Sequence, residues 1–376
     1  MWWNTMAATG WFSLSFFFAL ALYGAKPIEL FEAGKGGYMT YRIPGMVTLG
    51  DGTILAYAEA RKDGTGDWAD IDILLRRSND NGQTWTEPMV IADAGTLTTN
   101  NVVAIPGKGR GEVHLVYCVN YAKAFYRHSS DSGKTFSEPV EITSAFESFR
   151  KDYDWNVIAT GPGHGIRLKN GRLLIPVWLS TGGKAHRPSV VSTIVSDDNG
   201  RNWKRGEIIA GQLVNPSETL AAQLKDGRIM LNIRSESPAL RRAVVFSADG
   251  LTGWTAPQFQ EELKEPVCMA SLIRYPKGKR ELIFVNPDNI DEGSQKNKGR
   301  NSTRKNLTLQ VSSDEGKTWG RKHVIDADIS AYSDVTVDKN GDILVLYEKG
   351  GLNKNMFFTQ SLRLERFSPK ILDGAN

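Results

Sequence analysis

Cysteine is nearly absent: Cys118 and Cys268 are the two in 376 residues, too few to staple a fold. Each follows apolar residues, so a buried free thiol is expected at both. An excess of one charge is also missing. The 46 basic and 42 acidic side chains leave a formal +4, small and dispersed, which excludes a nucleic-acid surface as the leading idea. The densest basic stretch, KNKGRNSTRKN (Lys296 to Asn306), reads as a solvated loop. No His, Cys or Asp group has metal-ligand spacing, so neither a required metal nor another cofactor is expected. Long helical patterns are lacking, and the only hint of a helix lies around Ala145 to Trp155. With 40% apolar residues, the chain holds enough core for two or three average domains or one large β domain.

Charge is absent altogether from Ala7 to Ala25, where WFSLSFFFALALYGA is an apolar run followed by small residues. This pattern predicts a signal peptide cleaved after Ala21 or Ala25, or an uncleaved N-terminal membrane anchor of nearly the ~20 residues that span a bilayer. Either way, residues 1–25 stand apart from the body, 26–376, which is expected to be exported: periplasmic, secreted or cell-surface. A monomer is expected.

What the body has in abundance is repetition. A turn followed by an apolar strand recurs as DGTILAYA at Asp51, RGEVHLVY at Arg110, NGRLLIPV at Asn170, DGRIMLNI at Asp226 and NGDILVLY at Asn340. A weaker copy, KRELIFVN, begins at Lys279. The starts are 59, 60, 56, 53 and 61 residues apart, which makes six units. Inside them a polar octet recurs: SNDNGQTW at Ser78, SSDSGKTF at Ser129, SDDNGRNW at Ser196, SSDEGKTW at Ser312, with a degraded FSADGLTGW around Ser247. Asp-Gly and Asn-Gly turns between β-branched runs are hairpin signals. Six β units of this length with almost no helix predict an all-β, six-bladed β-propeller of four-stranded antiparallel blades. The last unit lacks an octet, so the N-terminal strand is expected to complete it and close the ring.

The octet reads as a turn rather than a site. Its Ser and Asp bond their own loop's amides, its Gly supplies positive φ, and its Trp or Phe covers the hairpin. A calcium loop would need further ligands and a Glu at its twelfth position.

These octets resemble the Asp boxes of the sialidase superfamily, and YRIPGM (Tyr41 to Met46) resembles the Arg-Ile-Pro motif that opens sialidase domains. The resemblance covers residues 36 to 349 and is closest to bacterial-type exo-sialidase catalytic domains. It implies a retaining exo-α-sialidase acting on sialylated glycoproteins, glycolipids and oligosaccharides. The alternatives are a trans-sialidase, a glycosidase for another nonulosonic acid, and a non-catalytic glycan-binding propeller.

Sialic acid carries a carboxylate on its anomeric carbon, so its pocket needs fixed cations, which arginine's planar fork supplies bidentately. Arg42 in YRIPG, Arg234 in LNIRS and Arg304 in STRKNLTL match the family's carboxylate clamp. A carboxylate nucleophile would be repelled by that substrate carboxylate, and sialidases use tyrosine instead. Tyr332 in SAYSDV matches the nucleophile. Glu218 in NPSETLAAQL matches the base that must take its proton, since free tyrosine titrates near pH 10. A general acid must also protonate the leaving oxygen. The segment EARKDGTGDWADIDILLRRS offers Asp63, Asp67, Asp70 and Asp72; the family's six-residue spacing from an arginine selects Asp67, counted from Arg61. The resemblance places Arg61 on the hydroxyl side of the sugar and Asn101 near O4 or the N-acetyl group, although Val102 stands where the family has proline. It also places Trp155 and the TGPGHGI loop (Thr160 to Ile166) on the wall near the N-acetyl and glycerol groups. His164 reads as structural.

Overall fold

The computed structural model describes residues 26–64, 66–277, 281–290, 304–352, 355 and 357–373. The segment read as a leader or anchor, 1–25, and most of the basic stretch, 296–303, lie outside them.

Every copy of the turn-plus-strand repeat becomes the second strand of a blade. These strands are Ile54–Arg61, Val113–Val119, Leu173–Ser180, Ile229–Ile233, Leu282–Pro287 and Ile343–Lys349. Each pairs antiparallel with a preceding inner strand, the first four being Thr40–Thr48, Thr99–Pro106, Val157–Thr160 and Thr219–Gln223. Each also pairs with a following third strand, such as Ile71–Ser78 in the first blade and Ser361–Phe367 in the last. The described residues thus form six blades of an all-β propeller. One strand, Arg321–Val337, serves two of them. Its first half pairs with Lys305–Ser312 as the outer strand of the fifth blade, and its second half pairs with Ile343–Lys349 as the inner strand of the sixth. The sixth blade takes its outer strand from Ile28–Glu32, which pairs antiparallel with Ser361–Phe367. The ring therefore closes through the N-terminal strand, as the missing sixth octet implied.

Alternation along the second strands builds the core, because both faces of a blade are covered by neighbours. Ile54, Ala56, Ala58 and Ala60 pack with Leu344 and Leu346 of the sixth blade. Leu55 and Tyr57 point the other way, to Val102, Ala104 and Leu115 of the second. The expected helix is brief: Ser144–Glu147 runs into a 3-10 turn, Ser148–Lys151. It inserts Phe146 and Phe149 between the second and third blades. Cys118 and Cys268 are both buried free thiols, as expected.

The octets sit at the end of the third strands and form one repeated network. In the first, the Ser78 hydroxyl donates to Asp80 at 2.7 Å and accepts from the Gly82 amide at 2.7 Å. Asp80 accepts from the Thr84 amide at 2.9 Å and the Thr84 hydroxyl at 2.6 Å. The same contacts recur at Ser129–Asp131–Thr135 and Ser312–Asp314–Thr318. Glycine is required twice over. Gly82 has φ +79, and a Cβ there would meet Leu344 of the preceding blade at 2.9 Å. At Gly250 a Cβ would meet Leu174 of its preceding blade at 2.3 Å. The box is thus a hairpin turn that also seats one blade on the last.

These bonds favour the carboxylate form. Thr84 holds Asp80 down at about 2, from an ordinary 3.8. A carboxyl lowered on folding contributes stability that is present above its unfolded pKa and is lost as pH falls through the folded one. The Asp80 contribution should therefore disappear between about pH 4 and pH 2. Asp80→Ala should cost roughly 1–2 kcal/mol at pH 7 and little at pH 2, as read by urea unfolding at the two pH values. An equal cost at both would show that the carboxylate is not what closes the turn.

Candidate active site

In an antiparallel blade, the start of the inner strand, the end of the second and the start of the third share one end. Glu218 immediately precedes inner strand Thr219–Gln223, and Tyr332 lies at the sixth blade's inner strand; Arg234 immediately follows second strand Ile229–Ile233. Arg304 precedes third strand Lys305–Ser312, and Asp67 lies in the loop joining Ile54–Arg61 to Ile71–Ser78. The octets terminate third strands and so occupy the opposite end. The repeated and unrepeated residues are separated by the length of a blade.

A pocket of about 330 Å³ opens at this end, lined by Arg42, Asp67, Asn101, Glu218, Arg234, Arg304 and Tyr332. At its floor the Tyr332 hydroxyl donates to Glu218 Oε1 at 2.5 Å. Arg234 donates to the Tyr332 oxygen at 2.8 Å and also contacts the other Glu218 oxygen. The Arg42 and Arg304 guanidiniums lie 5.3 and 5.2 Å from the Tyr332 ring centre. Arg234 Nε and Arg304 Nε are buried without a hydrogen-bond partner among the described residues. Buried donors left unpaired are costly, and these belong to two of the three arginines that the family resemblance assigns to a carboxylate clamp. Burial is the largest influence on the Tyr332 phenol and raises it. Arg234 pulls it down, Glu218 pushes it up, Arg304 pulls it down, and it stays well above its ordinary 10. A neutral phenol beside a carboxylate is what results.

Asp67 lines the same pocket. Burial pushes its carboxyl up, but Arg61, then Arg42 and His186, outweigh it and hold the group below the ordinary range. Of the other acids in that loop, Asp70 and Asp72 are held by Lys62 at 3.0 and 3.1 Å, and none of Asp63, Asp70 or Asp72 lines the pocket. Asn101 lies at the pocket with φ +54, in a break of register between Asn100 and Val103. Its side-chain amide donates to the Thr160 carbonyl at 3.0 Å.

Three expectations are corrected. Arg61 does not line the pocket; it is fully buried, bridging Glu59 at 2.8 Å and Asp67 at 3.1 Å. Trp155 packs in the core between blades two and three, where its indole donates to the Phe146 carbonyl at 3.0 Å. Trp178 from the neighbouring strand lines the pocket instead. The TGPGHGI loop runs along the axis, with Gly163 and His164 paired to Val103 and Ala104. His164, read as structural, contacts Asp334 at 2.7 Å and the Leu272 carbonyl at 3.2 Å.

Several site residues escaped sequence reasoning. Tyr121, His186, Arg187, Glu236 and Phe357 line the pocket. Glu348, 1% exposed, accepts from Arg42 Nε at 3.1 Å and from the Ile43 amide at 3.1 Å. It fixes the Arg42 guanidinium. The available signal was an acid inside LVLYEKG, where the repeat is otherwise apolar.

The chain matches the BNR repeat-like domain family over residues 52–345, from the first blade's second strand into the last blade's. It is 31% identical over 355 residues to a sialidase of Bacteroides fragilis (strain YCH46), covering 84% of this chain and 61% of that protein. To a sialidase of Micromonospora viridifaciens it is 27% identical over 364 residues, covering 87% of this chain and 53% of that protein. The chain thus spans between half and two-thirds of the length of these relatives. Among solved structures, the Hadza microbial sialidase Hz136 superposes with a TM-score of 0.77 at 26% identity, covering 92% of this chain and 68% of that one. With that match running over most of its length, the chain belongs to the BNR repeat-like domain family.

Proposed function

We propose that this propeller is a retaining exo-α-sialidase that removes terminal sialic acids from glycans. The observation that carries this reading is the 2.5 Å contact between the Tyr332 hydroxyl and Glu218 in a pocket that Arg42, Arg234 and Arg304 also line. A cluster of three arginines in one pocket calls for an anionic substrate, and a neutral nucleophile among them suits attack on a carbon bearing a carboxylate. The sialidase relatives support the same substrate class.

In the first step Tyr332 Oη bonds to the anomeric carbon as its proton passes to Glu218. The bond to the leaving oxygen breaks as Asp67 gives that oxygen a proton. Asp67 then takes a proton from water, which attacks the anomeric carbon; the tyrosine–sugar bond breaks and Glu218 returns its proton to Tyr332. Two displacements at one carbon give net retention. Arg42, Arg234 and Arg304 hold the substrate carboxylate throughout. That carboxylate also offsets part of the positive field of Arg42 at Asp67, so substrate binding favours the protonated Asp67 that the first step needs.

Proton NMR of a fresh digest of an aryl α-sialoside tests this reading. α-Sialic acid should appear first and mutarotate to the β form afterwards. Initial release of the β form would exclude the double displacement, and no turnover would favour a glycan-binding propeller. Adding lactose separates hydrolysis from transfer through the appearance of sialyl-lactose.

A further inference from the structure

His186 stands in the loop between second strand Leu173–Ser180 and third strand Ser189–Ser196 of the third blade, at the pocket end. The loop is braced at its base, where Ser180 Oγ donates to the Ala185 carbonyl at 2.9 Å and accepts from the Gly182 amide at 3.0 Å. The imidazole stacks on Trp68 at 4.8 Å with an interplanar angle of 26°, and meets Tyr121 at 5.3 Å and the edge of Trp178 at 5.2 Å. Trp68 is the residue next to Asp67, so the ring that fixes the histidine is tied to the loop that carries the acid. His186 Nδ1 lies 3.8 Å from Asp67 Oδ2. That is longer than a hydrogen bond and within reach of one after a small shift.

The tautomer follows from the partners. His186 Nε2 is buried with no hydrogen-bond partner among the described residues. A proton on Nε2 would bury an unpaired donor and turn a lone pair toward a carboxylate, which costs on both counts. A proton on Nδ1 leaves the donor facing Asp67. Burial lowers the imidazole's pKa against the pull of Asp67 and Glu218, while Arg234 and Arg187 lower it further, so the ring is neutral at pH 7. Those four are the charged groups that act most strongly on it.

We propose that His186 is a positioning residue for the acid–base carboxyl, donating from Nδ1 to the carboxylate that Asp67 becomes as it protonates the leaving oxygen. This inference rests on the assignment of Asp67 as general acid. Its effect should scale with how much protonation the leaving group needs, which mere packing would not produce.

The test compares kcat/KM for a sialyl-lactose, whose alkoxide leaving group requires the acid, with that for an aryl α-sialoside, whose phenolate does not. His186→Phe, which keeps the stack and removes the N–H, should lose about tenfold more on the lactoside than on the aryl substrate. Asp67→Ala should discriminate between the two by about a hundredfold or more. In the Asp67→Ala background, His186→Phe should add no further discrimination. Should His186→Phe fail to fold, His186→Leu gives the same comparison. Equal losses on both substrates, or discrimination that persists without Asp67, would overturn the inference while leaving the acid in place. Absence of discrimination in Asp67→Ala itself would instead overturn the assignment of the acid.

Discussion

Tyr332→Phe should lower kcat for an aryl α-sialoside by about a thousandfold or more, with KM changed by no more than a few-fold. The substitution removes one oxygen and keeps the ring that Arg42 and Arg304 both approach, so the proposed clamp stays intact while the nucleophile is lost. Glu218→Gln should cost a comparable factor. Burial and Glu218 together keep the phenol protonated, and without the carboxylate nothing beside it accepts that proton. Because the two act as one unit, the double variant should lose hardly more than either single one. Asn101→Ala, at the pocket but outside this unit, should lose about tenfold or less. Steady-state kinetics on the four variants decides it: a similar loss for Tyr332→Phe and Asn101→Ala would mean that the nucleophile lies elsewhere.

Arg304→Ala should lower kcat/KM by roughly 10²–10³, chiefly through KM. Among the described residues it donates to the Val267 carbonyl at 2.7 Å, and its Nε is buried and unpaired there. Arg42 is a poorer test, since removing it would strand Glu348 as a buried, uncompensated charge and damage the fold. Arg304→Lys should recover only part of the loss, because a point charge does not replace a planar fork. Affinity for the free sialic acid carboxylate, followed by competition against the aryl substrate, should fall in parallel. An unchanged KM would remove Arg304 from the clamp.

The scaffold was legible because it is written six times. Each blade needs the same turn into its second strand, and five need the same octet. A pattern such as Ser78–Asp80–Gly82–Thr84 announces itself by recurrence, and its structural role follows from the close approach at Gly82. Even ring closure could be read, from the octet that the last unit lacks. The proposed catalytic constellation was legible for another reason: Arg42, Glu218, Arg234 and Tyr332 stand in short motifs at strand ends that resemble those of a known family.

What stayed hidden depends on facing rather than spacing. Trp155 and Trp178 both belong to the third blade, but Trp155 precedes the inner strand and is tucked into the core beside Phe146, whereas Trp178 sits on the second strand and reaches the pocket. Trp178 lies in LLIPVWLS, a run that reads as uninterrupted core. His186 lies in TGGKAHRPSV, a loop with no motif, and it gains meaning only once blade three is set beside the loop of Asp67. Arg61 carries the family spacing, but its burial against Glu59 makes it a support for the Asp67 carboxyl rather than a sugar contact.

The most direct measurement of the central claim is covalent trapping. Incubation with 2,3-difluorosialic acid, followed by proteolysis and mass spectrometry, should find one sugar adduct on the peptide containing Tyr332, and Tyr332→Phe should carry none. An adduct on Glu218, Asp67 or any other residue, or an active enzyme that inactivates without an adduct on Tyr332, would contradict the account.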